Sequence, residues 1–272
     1  DTGRFMDFRW ATNAVRAADD PDWFGRYCRV FRDGDGIRAV AVAEDGGDAE
    51  FIITSGEDPL AVESVLARLV EVHRERGAGL EFQVSDAEAW LRDIFVAAGM
   101  TEQKMTGHEW EYDLAGLPEP ASVAAGFTVE TLDGVGDRAA VYVGISDCFA
   151  AAFDREADGV PALLSLEQNP MFRPELSVLA RSPEGTVVAY CRGTVDPGNG
   201  VCGVDPVCTH PGFQRLGLGR AVVQRCFANQ WALGGRFSYI GSRPEPAPGT
   251  FLYRSLGPKS RTVASTWTYH FA

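Results

Sequence analysis

The chain has 272 residues, of which 45% are apolar, and a formal net charge of −13. This length allows one large domain or two of moderate size, and no apolar run reaches the ~20 residues that span a bilayer. An acidic chain repels nucleic acid and anionic membranes, so neither is an expected partner.

The six cysteines and four histidines carry no signature of disulfide staples or of a metal site. The cysteines form no Cys-x-x-Cys pair in a chain that is long enough to bury a core. This favours reduced thiols and a cytoplasmic location. The histidines are scattered without metal-ligand spacing, so no metal is expected.

The negative charge is concentrated in the first part of the chain. Residues 1–118 contain 24 acidic and 12 basic side chains, a net of −12, whereas residues 119–272 contain 14 and 13, a net of −1. The second part is therefore the better place for an anionic ligand.

In the first half, turn residues separate three short β-rich runs, which predict strands over 27–32, 37–43 and 49–54. Asp58 is placed to cap a helix that has Pro59 at its first position. An alternating strand over 80–84 follows, and a capping box opens a helix over 85–99. Alternation over 110–114 predicts a last strand.

The second half repeats this order of elements. Three strands are predicted over 176–181, 186–195 and 201–209. A helix with one apolar face follows from Leu218 to Trp231. A strand over 237–241, a short helix that ends near Gly257 and a strand over 263–271 complete the half.

The repeated order predicts an α+β protein built from two copies of one unit, each a mixed, mostly antiparallel sheet flanked by helices. The predicted division is 1–117, a linker over 118–125 with prolines and small residues, and 126–272. The alternative is coincidence, because many α/β proteins share such a string of elements.

One loop in the second half carries the strongest chemical signal. Gly217 and Gly219 open an amphipathic helix directly after a strand. Glycine lets backbone N–H groups approach a ligand closely, and a helix start offers unpaired donors and positive partial charge, which suits a pyrophosphate. A nucleotide P-loop is excluded because no Lys-Ser/Thr follows, and the third glycine of the dinucleotide fingerprint is missing. The alternative is a tight turn without a ligand.

The segment 207–220 resembles the coenzyme A site of the GNAT superfamily of N-acetyltransferases. That family's Gln/Arg-x-x-Gly-x-Gly/Ala signature is matched by Gln214, Gly217 and Gly219. The resemblance covers about residues 126–272 and, in element order alone, about residues 20–114. It implies two GNAT-like domains in tandem, with acetyl-coenzyme A as the co-substrate of the second.

The resemblance also implies which residues contact this co-substrate. Backbone N–H groups of five successive residues would hold the pyrophosphate: Arg215, Leu216, Gly217, Leu218 and Gly219. The backbone of Val207, Cys208 and Thr209 would pair with the pantetheine arm. Arg215 and Arg220 would touch phosphates or remain solvated surface residues. The matching loop of the first half, over 54–59, lacks the Gly-x-Gly and places two carboxylates at a helix start, so no coenzyme A is expected there.

For catalysis, the segment 252–258 is similar to the family's Leu-Tyr-x-x-Leu-Gly-Phe pattern, with Pro258 in place of Phe. The resemblance makes Tyr253 the candidate general acid; the alternative is a packed aromatic. Asp205 is the candidate base, or else a solvated strand residue. The oxyanion donor is expected to be a backbone N–H near Cys208. A nucleophilic role for Cys208 is disfavoured because no partner base is marked.

The resemblance places the acceptor along residues 147–174, where the candidate binding residues are Phe149, Phe153, Asp154 and Glu167. An acidic, aromatic lid suits a cationic amine, although these carboxylates could equally solvate a loop. The expected reaction moves an acetyl group from acetyl-coenzyme A directly to a primary amine of a small molecule or peptide. The alternatives are a coenzyme A-binding sensor or regulatory module without turnover, and a structural interaction protein. The sequence names neither the acceptor nor the oligomeric state.

Overall fold

A computed structural model describes residues 28–34, 36–43, 49–54, 57–117, 120–157, 159–168 and 171–271. The predicted first residue of the first strand, Tyr27, the loop residues Ser55 and Gly56, and the start of the predicted linker lie outside these ranges. The strands are β1 (Cys28–Asp33), β2 (Gly36–Ala43), β3 (Ala49–Thr54), β4 (Leu80–Ser85), β5 (Thr101–Asp113), β6 (Thr128–Thr131), β7 (Ser177–Arg181), β8 (Val187–Asp196), β9 (Val201–Thr209), β10 (Phe237–Ser242) and β11 (Ser260–Tyr269). The α-helices are α1 (Pro59–Arg76), α2 (Ala89–Ala97), α3 (Arg138–Phe153), α4 (Val160–Ser165), α5 (Leu218–Ala232) and α6 (Pro248–Ser255).

Within these residues, all eleven strands form one sheet, in the order β1-β2-β3-β4-β11-β5-β10-β9-β8-β7-β6. Two neighbouring pairs are parallel, β3 with β4 and β9 with β10, and the other pairs are antiparallel. The predicted α+β class, with a mixed and mostly antiparallel sheet flanked by helices, is confirmed.

The last strand of each half pairs with the other half. β5 pairs with β10 from Asp113↔Phe237 to His108↔Ser242, and β11 pairs with β4 from Ala264↔Ser85 onwards. The two exchanged strands also pair with each other at the centre. The sequence predicts one sheet for each half, whereas in the structure the two sheets are joined into one. The boundaries of the two domains stay a prediction.

The hydrophobic cores show the same exchange. Trp267 of β11 is buried in the core of the first half, 5.9 Å from Phe95 between ring centroids. Tyr112 of β5 is buried in the core of the second half, 4.8 Å from Phe227, and its hydroxyl donates to the carbonyl of Tyr253 at 2.9 Å. Large aromatic side chains dominate core energetics, so each half needs the strand that the other supplies.

Helix α1 begins as predicted, whereas α2 begins later. The Asp58 carboxylate accepts from the N–H of Ala61 at 3.1 Å at the start of α1. At the predicted capping box, the Ser85 N–H donates to the carboxylate of Glu88 at 3.4 Å. Ser85 itself remains in β4, paired with Ala264 of β11, and the chain passes through a 3₁₀ turn before α2 starts. The exchanged strand therefore delays the helix.

The second half of the sheet is covered by different helices on its two faces. One face packs against α5 and α6, where Leu218, Phe227 and Tyr253 join a large cluster of buried residues. The other face packs against α3, where Tyr142 and Cys148 meet Cys208 of β9. Strand β9 thus lies between two helical layers, with its side chains divided between them.

Candidate functional site

The sheet opens between β9 and β10. These parallel strands pair only from Val201↔Phe237 to Gly203↔Tyr239. Beyond that point β10 continues along β5 as far as Ser242, and β9 continues along β8 as far as Thr209. The backbone of residues 204–209 therefore has a strand partner on one side only. An extended ligand that carries amide groups can pair with such an edge.

The N-terminus of α5 lies directly after this open edge. Its N-cap residue, Gly217, has a φ of 78° and offers no side-chain cap, and the first turn contains no acidic residue. The first helical hydrogen bond runs from the N–H of Ala221 to the carbonyl of Gly217 at 3.0 Å. The N–H groups of Leu218, Gly219 and Arg220 precede this bond, so the positive end of the helix can receive an anion.

The two glycines of this loop are needed for different structural reasons. The positive φ of Gly217 is a conformation that other residues adopt only with strain. Gly219 permits close packing, because a Cβ there would lie 2.9 Å from Thr209 Oγ1 and 3.3 Å from Leu252 Cδ2. Gly219 therefore holds the helix start against the end of β9 and against α6.

Two polar side chains shape the turn between β9 and α5. The amide of Gln214 donates to the carbonyl of Thr209 at 3.4 Å, and Nδ1 of His210 accepts from the N–H of Gly212 at 3.1 Å. Arg215 and Leu216 are exposed, and Arg220 is half-buried. In this structure the predicted cofactor residue Gln214 fixes the loop, and the exposed backbone after it faces solvent.

The candidate acid Tyr253 lies buried in α6 next to the open edge. Burial raises the pKa of its hydroxyl, and the negative charge of Asp205 on β9 raises it further. Cys191 and Cys208 also raise this pKa, by smaller amounts. Asp205 itself is exposed. The charge of Asp205 therefore acts on Tyr253, and the raised pKa leaves the tyrosine hydroxyl protonated at neutral pH.

Cys208 is a buried thiol in this arrangement. Its sulfur lies 3.8 Å from that of Cys148 on α3, and the hydrogen bond with Cys148, followed by burial, raises the pKa of Cys208. A nucleophile acts as the thiolate, so these surroundings are consistent with the prediction that Cys208 is not one. All six cysteines are free thiols.

On the α3 side, the predicted acceptor residues are divided between two structures. Phe149 and Phe153 stack, with ring centroids 4.5 Å apart, and Asp154 ends α3 with a φ of 49°. Glu167 is instead tied to α3 by Arg138 and Tyr142. Sequence reasoning missed these two partners, although their spacing of four residues places them on one face of a helix.

The part of the chain that the structure describes shows neither a candidate metal site nor a membrane-spanning helix. Among the residues that the structure describes, no group of three or more His, Cys, Asp or Glu side chains is arranged to hold a metal ion. None of the helices described combines the length and the apolar character needed to cross a membrane.

A protein-family model matches the part of the chain that contains this site. Residues 140–257 match the acetyltransferase (GNAT) family. The match includes both layers around β9, the Gly-x-Gly loop and Tyr253. Over these residues, the second half is therefore similar to a GNAT acetyltransferase domain. A comparison with curated proteins gives no match.

Solved structures share the fold over almost the whole chain. A GCN5-related N-acetyltransferase from Sphaerobacter thermophilus has 19% identity and a TM-score of 0.62, with 97% of this chain and 94% of that chain covered. One from Kribbella flavida has 20% identity and a TM-score of 0.61, with 96% of each chain covered. A tandem GNAT protein from the clavulanic acid biosynthesis pathway has 15% identity and a TM-score of 0.63, covering 96% of this chain and 93% of that one. At these identities the likeness shows the fold alone, and it includes the first half.

Proposed function

We propose that this chain is an N-acyltransferase that moves an acetyl group from acetyl-coenzyme A to a primary amine of a small molecule or peptide. The second half carries the reaction. The observation that supports this most strongly is the opening between β9 and β10 beside the uncapped start of α5. An open strand edge and a helix N-terminus match the two ends of a pantetheine diphosphate.

The proposed contacts follow the direction of β9. The one-sided backbone of Val207, Cys208 and Thr209 pairs with the amides of the pantetheine arm, and the N–H groups of 215–219 hold the pyrophosphate. Gly219 supports this geometry because it allows the helix start to approach Thr209 closely. Arg215 and Arg220 lie beside the loop and add positive charge for the phosphates.

Acetyl-coenzyme A supplies the activated acetyl group, and side chains of this chain manage the protons. Asp205 accepts a proton from the attacking amine, and a backbone N–H near Cys208 donates to the oxyanion that forms. Tyr253 then donates its proton to the departing thiolate. Burial and the charge of Asp205 raise the pKa of this hydroxyl, so it carries the proton that a donor needs.

The first half has a structural role in this proposal and binds no coenzyme A. At its corresponding helix start, Asp58 already occupies an N–H donor of α1 and places a negative charge where a pyrophosphate would lie. Its contribution to the active half is β5, which borders β10. The chain would then be a tandem GNAT protein with one active domain.

A matched pair of glycine substitutions tests the cofactor site. Gly217 and Gly185 both have a positive φ, 78° and 86°, and a Cβ added at either meets no atom within 4 Å. Alanine at each position therefore costs a similar ~1 kcal/mol of backbone strain. We expect Gly217→Ala, but not Gly185→Ala, to weaken acetyl-coenzyme A binding by about tenfold, as measured by calorimetry. Equal affinities in the two variants would contradict the proposed contact between this loop and the pyrophosphate. A wild type that shows no heat of binding with acetyl-coenzyme A would contradict the proposed function.

A further inference from the structure

The position proposed for the cofactor determines the face of the sheet from which the acceptor amine approaches the opening. α5 and α6 cover one face of the sheet, so a pyrophosphate at the start of α5 reaches the opening from that face. An amine that attacks the thioester from the opposite face meets α3 and α4. Phe149 packs there against the cluster that contains Cys208 of β9. This step rests on the proposed function.

Glu167 is unavailable to bind a cationic acceptor. Arg138 Nη1 donates to its Oε2 at 2.7 Å, and the Tyr142 hydroxyl donates to its Oε1 at 2.8 Å. Burial raises the pKa of Tyr142, and the hydrogen bond with Glu167 raises it further, so this donor keeps its proton. Both carboxylate oxygens are thus engaged, and the ion pair neutralises the charge. In this proposal Glu167 therefore positions the segment after α4 and does not itself recognise the amine.

The surface that remains on this side is aromatic and apolar. Phe153 stacks on Phe149 and is 44% exposed, so an aromatic surface leads from the cluster at β9 to solvent. Leu164 on the neighbouring helix α4 is 37% exposed. Phe149 and Phe153 adjoin one another, and adjoining apolar side chains mark binding surfaces more often than single exposed ones do.

A positive charge lies next to this aromatic pair. The guanidinium of Arg155 is 4.5 Å from the ring centroid of Phe149. Arg155 and the flanking carboxylates of Asp154 and Glu156 are all exposed, so water and salt screen charges of either sign. The apolar contact with the aromatic pair, rather than these exposed charges, therefore selects the acceptor.

We propose that the acceptor is a primary amine with an apolar, preferably aromatic, body that packs on Phe149 and Phe153. The amine reaches the thioester at β9 while the body remains against the aromatic pair. Phe153 is the specificity-determining residue because its exposed ring is the outer wall of this surface. The tie from Glu167 to Arg138 and Tyr142 holds the chain after α4 in place beside it.

The test compares two amines with the intact chain at saturating acetyl-coenzyme A. We expect kcat/KM for 2-phenylethylamine to exceed that for 1,4-diaminobutane by about tenfold or more. Phe153→Ser should lower kcat/KM for 2-phenylethylamine about tenfold, through a higher KM, because the apolar contact of about half a phenyl ring is lost. The affinity for acetyl-coenzyme A, measured by calorimetry, should stay the same.

Val96→Ser is the matched control, because Val96 is an apolar residue that is 63% exposed on α2 in the first half. It should leave both amines unaffected. A preference for the diamine, or a Phe153→Ser variant with an unchanged ratio between the amines, would overturn the proposed acceptor class. If the chain binds acetyl-coenzyme A but acetylates neither amine, the proposed acceptor class is also overturned, whereas the proposed cofactor site is supported. A lack of cofactor binding would instead contradict the proposed function itself.

Discussion

The two halves treat the same junction, from the third strand of the unit to its first long helix, in opposite ways. In the first half Asp58 caps α1 through Ala61, and its second oxygen pairs with Arg38 at 2.7 Å from Nε. In the second half Gly217 begins α5 without any side-chain cap. A helix start must satisfy its N–H donors from some source. The first half uses its own carboxylate, and the second leaves the donors open to a ligand.

The last helix of each half shows a second difference. When α2 and α6 are aligned on the glycines that follow them, Gly99 with a φ of 81° and Gly257 with a φ of 77°, Phe95 takes the place of Tyr253. Phe95 is fully buried against Phe82, with ring centroids 5.0 Å apart. The candidate acid and the open helix start therefore occur together in the second half, and the first half has neither.

Moving the cap of the first half into the second should have the largest effect. Gly217→Asp places a carboxylate about 4 Å from a bound pyrophosphate, and a like-charge pair at that distance costs about 4 kcal/mol at an effective dielectric constant of ~20. We expect about 1000-fold weaker binding of acetyl-coenzyme A in calorimetry. Gly217→Asn is the control, because asparagine has the same shape without the charge and tolerates a positive φ. If the two variants lose equal affinity, charge at this junction is not what separates the halves.

Replacing Tyr253 with the phenylalanine of the first half should have the next largest effect. Tyr253→Phe removes the proton donor and should lower kcat about 100-fold, with unchanged affinity for coenzyme A. Because the pKa of Tyr253 is raised, the acid stays protonated as the pH rises, so this group should cause no loss of wild-type rate below about pH 10. Tyr269→Phe, which removes a hydroxyl from β11, is the matched control. A Tyr253→Phe variant with the wild-type rate would exclude Tyr253 as the acid.

Sequence alone could predict the features that depend on near neighbours. The element order, the cap at Asp58 and the glycines at 217 and 219 follow from spacing and backbone preference over a few residues. Tyr253 and Asp205 are candidates through the resemblance to the GNAT family rather than through local spacing, and in the structure the charge of Asp205 raises the pKa of Tyr253. Their catalytic roles remain proposals.

Long-range pairing could not be predicted in this way. Alternation marks β5 and β11 as strands, but it is equally satisfied by any partner, so it cannot reveal that each strand joins the other half. One trace of the exchange is Gly107, where a Cβ would overlap the carbonyl oxygen of Ser242. The binding of Glu167 to Arg138, 29 residues away, is hidden for the same reason, because neither residue differs from a solvated charge until the chain folds.

The smallest expected effect belongs to the cap of the first half. Asp58→Ala removes the acceptor for Ala61 and the partner of Arg38, so the melting temperature at pH 7 should fall slightly. Hydrogen bonds from Arg38 and Ala61 hold the pKa of Asp58 below its ordinary value of 3.8. The stabilisation is therefore complete above that value and is lost as the pH falls through the lower pKa of the folded state. Thermal melts at pH 7 and below pH 4 should show the gap between wild type and variant narrowing with acid. Asp58→Asn keeps an acceptor but not the charge, and should melt between the two.

Calorimetry of Asp58→Ala should still count one acetyl-coenzyme A per chain, because Glu57 and Pro59 remain at that junction and no Gly-x-Gly is present. A second bound molecule would show that the carboxylate alone separates the two halves.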